Sequence, residues 1–409
     1  MAETRDDLLR LLSERRPGFS LPGPCYTSEG AHWLDLDRVF RREWLFACSG
    51  REIPNPGDFT TLNVGPDGVV VLRDEAGAVR AFHNTCRHRG SRLCEGRGHG
   101  ARLVCPYHQW TYGLDGRLLH AGQMGEGFRP DDWPLRAVHV ETVCEMVFIC
   151  LAEAPPDFTA FRAAVEPYLA PHQLDRAKVA HQTRVVERAN WKLVIENNRE
   201  CYHCAGAHPE LLQTFLEAEL PDDPSVKARF DAVMAEVAPR WEALGLAYEG
   251  VPWNRDFRCI RLPFTPGALS MTMDGGPACR MLMGDLTEPD LGSVRYYRAP
   301  NTWNHALADH AIHFRILPVS PTETELVTTW LVHEDAVEGL DYEVDRLTEI
   351  WRATNDEDQR LAETNQLGVA SSAYRPGPYS LSERMVSDFA DWYAERALGR
   401  APAALRAAE

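Results

Sequence analysis

The stretch CRHRGSRLCEGRGHGARLVCPYH, residues 86–108, decides the reading of this chain. It carries Cys86-x-His88, then sixteen residues, then Cys105-x-x-His108, so one Cys/His pair stands on each of two loops. Two thiolates suit one ferric ion and two neutral imidazoles suit the other, which gives a [2Fe-2S] cluster of raised potential that accepts and passes on single electrons. A structural Cys2His2 zinc site is the bland alternative, but zinc modules favour C-x-x-C and H-x3-5-H pairs over one Cys and one His per loop. Gly90, Gly113 and Gly116 allow tight turns, and Pro106, Tyr107 and Trp110 can cover the sulfurs. His83, His99, His120 and Cys94 lack the paired spacing and read as ordinary surface or core residues.

Outward from these loops, residues 46–152 form short β-like runs (Phe59 to Val64, Val69 to Arg73, Val79 to His83, Val147 to Leu151), broken by GPDG, DEAGA and GLDG. This predicts an all-β module. Upstream, DDLLRLLSER and LDLDRVFRREWLF read as helical and peripheral, separated by PGFSLPGP. Downstream, EAPPDF (Glu153 to Phe158) reads as an extended linker. Beyond it, strand-like runs (Lys178 to Glu187, Arg258 to Leu262, His313 to Pro318, Glu325 to His333) mix with helical ones (Phe161 to Leu169, Trp191 to Ala205, Ser225 to Leu244, Tyr342 to Gln366). The expected class is α+β with an antiparallel sheet. The expected division is a helical segment 1–45, a β domain 46–155 and a larger domain 156–409.

Composition narrows the function classes. The 409 residues suffice for two well-packed domains, and 44% hydrophobic with 25% charged residues is ordinary for a globular chain. A net charge of -17 disfavours nucleic acid and anionic membranes, and no stretch approaches 18 apolar residues, so a cytoplasmic enzyme is expected. Its eleven cysteines should then stay reduced, as metal ligands or buried thiols.

A second constellation lies in NWKLVIENNRECYHCAGAHPE, residues 190–210. On one helix Glu200 and His203 share a face, whereas His208, five residues on, falls about 140° round, so the helix must loosen before Pro209 ends it. Two imidazoles and one carboxylate form the facial triad of non-haem ferrous oxygenases, which leaves positions open for dioxygen. The third ligand is sought among acids on an apolar stripe. Leu340, Val344, Leu347, Trp351, Thr354, Asp358 and Leu361 recur at three- and four-residue steps, which selects Asp358, with Asp356 in reserve. A buried salt bridge is the competing explanation of that acid. Cys201 and Cys204 make a C-x-x-C around His203; soft thiolates would favour zinc, so both are expected to point away from the metal.

The two motifs in this order, C-x-H…C-x-x-H and then E-N-x-x-E-x-Y-H-x4-H, resemble the α subunits of Rieske oxygenases. The resemblance covers the chain from about residue 40. It implies an all-β Rieske domain followed by a larger catalytic domain with a helix-grip antiparallel sheet. It matches Cys86, His88, Cys105 and His108 to the cluster ligands, and His203, His208 and Asp358 to the mononuclear Fe(II) ligands. Glu200 matches the acid that links a cluster histidine of one subunit to an iron-ligating histidine of the next, in homotrimers. ENNRECYHCAGAHPEL, SMTMDG (Ser270 to Gly275) and RPGPYS (Arg375 to Ser380) are similar to the glycine betaine and stachydrine demethylases. That implies O2-dependent oxidation of an N-methyl group, giving a carbinolamine that releases formaldehyde. Tyr202, Trp253, Phe264, Trp303 and Tyr379 are candidates to face an N-methylated cation.

Since no G-x-G-x-x-G follows a strand, NAD(P)H electrons are expected through a separate flavin and iron-sulfur reductase. Aromatic ring hydroxylation by the same metals is the alternative activity. A Rieske electron-transfer protein is the non-enzymatic one, and it would leave His203, His208 and Asp358 structural.

Overall fold

Short β-branched runs separated by turn residues build the Phe40–Phe158 unit of the computed structural model, which describes residues 4–216 and 224–400. Its strands are β1 (Leu45–Ser49), β2 (Asp58–Val64), β3 (Asp67–Arg73), β4 (Val79–His83), β5 (Arg97–His99), β6 (Leu103–Val104), β7 (Thr111–Tyr112), β8 (Leu118–His120), β9 (Ala137–Val143) and β10 (Met146–Cys150). Seven form one antiparallel sheet in the order β1-β10-β9-β4-β3-β2-β5, and β6-β7-β8 form a smaller one. The β2–β3 hairpin turns in two residues because Gly65 takes φ 58°. Val70, Leu72, Phe82, Leu103, Trp110 and Tyr112 share one core with Cys86 and Cys105, so both sulfurs start from a packed, dry position.

The second unit is Met1–Val39 with Thr159–Glu409. Its helices are α1 (Arg5–Glu14), α2 (Pro24–Thr27), α3 (Glu29–Asp35), α4 (Thr159–Leu169), α5 (Trp191–Asn198), α6 (Cys204–Ala207), α7 (Pro224–Ala243), α8 (Val344–Val369) and α9 (Arg384–Ala397). Its strands are β11 (Ala177–Glu187), β12 (Phe257–Leu262), β13 (Ser293–Arg298), β14 (Thr302–Ala306), β15 (Ala311–Ser320) and β16 (Glu323–His333). They form a sheet in the order β11-β16-β15-β14-β13-β12, every pair antiparallel. Hairpins join β13 to β16 in turn, a long connection leads from β12 to β13, and β11 lies beside β16. Helix α8 packs on β11 and on α5. Among the described residues no helix is long and apolar enough to cross a membrane.

Two expectations about the opening segment change; its first three residues lie outside the described ones. LDLDRVFRREWLF is helical only as far as Phe40, and Leu45 opens β1. Pairing with β10 buries Leu45 through Ser49 completely, and that burial overrides local helical preference. Nor is the segment peripheral to its unit. Leu8, Leu12 and Cys25 are buried, and Asp35 on α3 is fully enclosed.

Asp35 joins three helices. Its carboxylate accepts from Trp191 Nε1 and from Tyr393 Oη, each at 2.7 Å, and pairs with the equally enclosed Lys192 ammonium. Lys192 also lies 5.0 Å from the Trp191 ring and 4.7 Å from that of Tyr393. This network fixes the start of α5, whose far end leads to the site. Removing one partner strands a buried charge, which costs about 3–5 kcal/mol. Asp35→Ala should therefore lower the urea unfolding free energy by about that amount, and a loss below about 1 kcal/mol would show that the pair is unimportant.

Candidate active site

In the smaller unit the two loops place Cys86, 3% exposed, and Cys105, 1% exposed, inside, with His88 and His108 outside. The imidazoles meet edge to face with centroids 4.7 Å apart, His88 stacked on Trp110 at 4.9 Å and Tyr107 on His108 at 3.9 Å. Loop shape follows from the backbone. Gly90 N–H donates to Cys86 C=O at 3.0 Å, Gln109 N–H donates to Cys105 C=O at 3.0 Å, and Gln109 takes φ 61°. Tyr112 Oη lies 3.4 Å from Cys86 Sγ and accepts from the Arg87 N–H at 3.0 Å. Burial, and then the neighbouring Cys105, push the Cys86 thiol above its ordinary pKa. A thiol held as Cys86 is becomes a thiolate only with a cation beside it, which fits an iron cluster.

In the larger unit, Asn190 caps α5 by accepting from Lys192 N–H at 3.0 Å, and the helix stops at Asn198. The expected helix from Trp191 to Ala205 is therefore broken. Arg199 leaves helical geometry, and Glu200 turns its Oε2 onto the N–H of His203 at 3.3 Å and onto that of Tyr202, opening the turn that becomes α6. A straight helix would have kept His203 and His208 about 140° apart. The break lets them converge.

His203 Nε2 lies 3.1 Å from His208 Nε2. Asp358 Oδ1, on α8, lies 2.8 Å from His208 Nε2 and 3.3 Å from His203 Nε2. Ligands about 2.1 Å from one centre and at right angles are about 3.0 Å apart, so this spacing is that of a facial triad. Each outer nitrogen is already engaged: His203 Nδ1 donates to Glu200 Oε1 at 2.6 Å, and His208 Nδ1 to Glu357 Oε2 at 2.7 Å. Both Nε2 lone pairs therefore aim inward.

The charges agree. Burial pulls His203 down, but Asp358 and Glu200 outweigh it and hold it at about 9, and His208 is likewise raised against burial by Asp358. Burial raises Asp358, but hydrogen bonds from His203 and His208 reverse the direction and hold it below its ordinary value. A divalent cation displaces those protons and satisfies all three groups. The donor set fits Fe(II).

Asp356, the reserve ligand, makes no contact with this triad, whereas Glu357 reaches His208 unforeseen. Its signal was available only as an acid next to the striped Asp358.

Two expectations about sulfur are overturned. Cys201 and Cys204 are joined by a disulfide with Cα atoms 4.9 Å apart, and Cys204 Sγ lies 4.0 Å from His203 Nε2. The broken helix places positions three apart side by side, with the Cys204 sulfur turned toward His203. His203, Cys204 and His208 offer ligand atoms within 4.8 Å of one another.

A cavity of about 150 Å³ opens beside the triad. Of the five candidate aromatics, Tyr202 and Trp303 line it. Tyr379 faces a neighbouring cavity, Phe264 is buried in the core, and Trp253 lies between Arg258 at 4.8 Å and Arg384 at 4.9 Å. Phe215, Tyr296, Tyr297 and Trp351 are the lining aromatics that the sequence did not single out as candidates to face a cation. Arginines cover two of them, Arg295 at 3.2 Å from the Phe215 centroid and Arg199 at 3.7 Å from that of Tyr297.

The Rieske [2Fe-2S] domain family model matches residues 43–140, and that of the ring hydroxylating alpha subunit (catalytic domain) matches residues 174–399. The glycine betaine monooxygenase oxygenase subunit of Pseudomonas aeruginosa (strain UCBPP-PA14) is 50% identical over 391 residues, covering 95% of this chain and 91% of its own. That of Chromohalobacter salexigens is 47% identical over 408 residues, covering 98% and 91%. A solved quaternary ammonium Rieske monooxygenase, described for carnitine oxidation and inter-subunit electron transfer, superposes with a TM-score of 0.72 at 20% identity, over 97% of this chain and 99% of that one.

Removing an outer partner of a ligating histidine weakens metal affinity about 10- to 100-fold. Glu357→Ala should do so in Fe(II) titrations while leaving the cluster's visible spectrum unchanged; an affinity within about twofold of the parent would contradict the assignment.

Proposed function

The chain belongs to the α subunits of Rieske ring-hydroxylating oxygenases, and from that premise we propose that it demethylates a betaine-type quaternary ammonium compound, with glycine betaine the first substrate to test. Identity of 50% over 95% of the chain to a glycine betaine monooxygenase oxygenase subunit carries the reading.

Cys86, His88, Cys105 and His108 would hold the cluster, and His203, His208 and Asp358 the iron. When bound, these groups supply single-electron transfer and the activation of dioxygen. The chain's own residues do the positioning. Glu200 and Glu357 fix the tautomer of the two histidines, so that neither Nε2 carries a proton toward the metal. Tyr202, Trp303 and Trp351 wall the cavity and limit water beside the N-methyl group.

Dioxygen, two electrons and two protons convert one N-methyl to N-hydroxymethyl plus water. The carbinolamine then loses formaldehyde and a proton, leaving the demethylated amine.

The electrons come from NAD(P)H through a separate flavin and iron-sulfur reductase, and a cytoplasmic homotrimer is the proposed assembly. Glu200 is the proposed link between a neighbour's cluster and His203. Its 2.6 Å contact with Nδ1 supports that role, and inter-subunit electron transfer is described for the solved relative.

With a surrogate reductase, glycine betaine should yield one formaldehyde per dioxygen consumed. Turnover of arenes without any from betaines would overturn the reading. Glu200→Gln should keep both metal sites loaded and slow turnover about 10- to 100-fold, and unchanged turnover would remove Glu200 from the electron path.

A further inference from the structure

The charges lining the cavity do not suit a simple cation. Among the described residues its only acids are Glu200 and Asp358, both committed to histidines, and the arginines that line it are Arg199, Arg258 and Arg295. A substrate carrying only an ammonium group would leave Arg258 without a counterion. One carrying a carboxylate as well would not.

Two of the arginines are aimed by strand register. Arg258 and Ile260 on β12 stand opposite Tyr297 and Arg295 on β13, and all four line the cavity, so both guanidiniums hang from one face of the sheet. Arg258 is held without being neutralised. Its guanidinium lies over Trp253, and Nη1 donates to Met385 Sδ at 3.7 Å. Among the described residues no carboxylate pairs with it. Arg295 stands two residues along the neighbouring strand, its guanidinium 3.2 Å from the Phe215 centroid. Stacked over Trp253, Arg258 keeps edge N–H groups available, and a planar fork matches a carboxylate where an ammonium would not.

We propose that Arg258 anchors the carboxylate of a zwitterionic substrate and thereby directs its N-methyl groups toward the triad. This rests on the demethylation reading and sharpens it. The substrate class becomes a trimethylammonium carboxylate, and trimethylammonium alcohols are poor substrates. Recognition is electrostatic at the acid end, while the methyl-bearing end meets the uncovered aromatic walls, Tyr202, Trp303 and Trp351.

The test uses the iron-loaded enzyme with a reductase and follows formaldehyde from glycine betaine. In the parent enzyme 3,3-dimethylbutyrate, which keeps the carboxylate and has a neutral quaternary carbon in place of the nitrogen, should inhibit competitively at least about tenfold better than 3,3-dimethylbutanol. Arg258→Gln should raise KM for betaine about 10- to 100-fold with kcat within about threefold, and should erase the difference between the two inhibitors. Arg258→Lys should recover only part of the loss, because it restores the charge and not the fork.

Equal inhibition of the parent by the acid and the alcohol overturns the anchor without requiring any variant to fold. So does Arg258→Gln with an unchanged KM, or with kcat falling in place of KM. A parent enzyme that makes formaldehyde from no N-methylated compound overturns the demethylation reading itself, and the anchor with it. Betaine turnover without the inhibitor difference overturns the anchor alone.

Discussion

Three candidate ligand atoms on two separate helical segments point at one place, and the contacts around them hold them there. His203 Nε2, His208 Nε2 and Asp358 Oδ1 lie 2.8 to 3.3 Å apart. Without a cation, such an arrangement keeps imidazoles charged beside an acid in a partly buried pocket; with one, every lone pair has a use. The outer carboxylates Glu200 and Glu357 make the arrangement directional by holding each Nδ1–H. Breaking α5 after Asn198 makes it possible. Helix α8 supplies Asp358 and Glu357 from consecutive positions, one to the metal side and one to the far nitrogen of His208.

That geometry needs a rigid base. The enclosed Asp35–Lys192 pair, with Trp191 and Tyr393, ties the first turn of α5 to α3 and α9, so the break in the chain is anchored at its upstream end. On the other side, the antiparallel sheet presents β12 and β13 side chains to the cavity at alternating positions. A metal triad at one end and guanidiniums along one wall make a pocket of mixed charge. Such a pocket distinguishes a zwitterion from a plain cation by more than shape.

Much of this was legible in the sequence. Cys86-x-His88 and Cys105-x-x-His108 announce themselves because metal geometry dictates ligand spacing. Asp358 was separable from Asp356 because an acid on an apolar helix stripe is costly unless it is used. The strand runs of both sheets fell within a few residues of their observed ends.

What escaped has physical reasons. The break after Asn198 contains neither glycine nor proline, and the carboxylate of Glu200 makes it by capping the next turn, an effect of three-dimensional placement. Glu357 looks like any solvent-facing helix acid until His208 is in view. Arg258 and Arg295 sit in short strands whose inward face depends on register. The disulfide between Cys201 and Cys204 runs against the reduced state expected from the rest of the chain, and it forms where the helix opens.

The central claim is that one mononuclear iron occupies the His203, His208 and Asp358 site in addition to the cluster. Mössbauer spectroscopy of the iron-57-loaded, reduced protein tests it most directly. The account predicts about three irons per chain, with a high-spin ferrous component that disappears in His203→Ala while the cluster's components remain. About two irons per chain, or a ferrous component distinct from the cluster's own that survives His203→Ala, would contradict it and leave an electron carrier in place of an oxygenase.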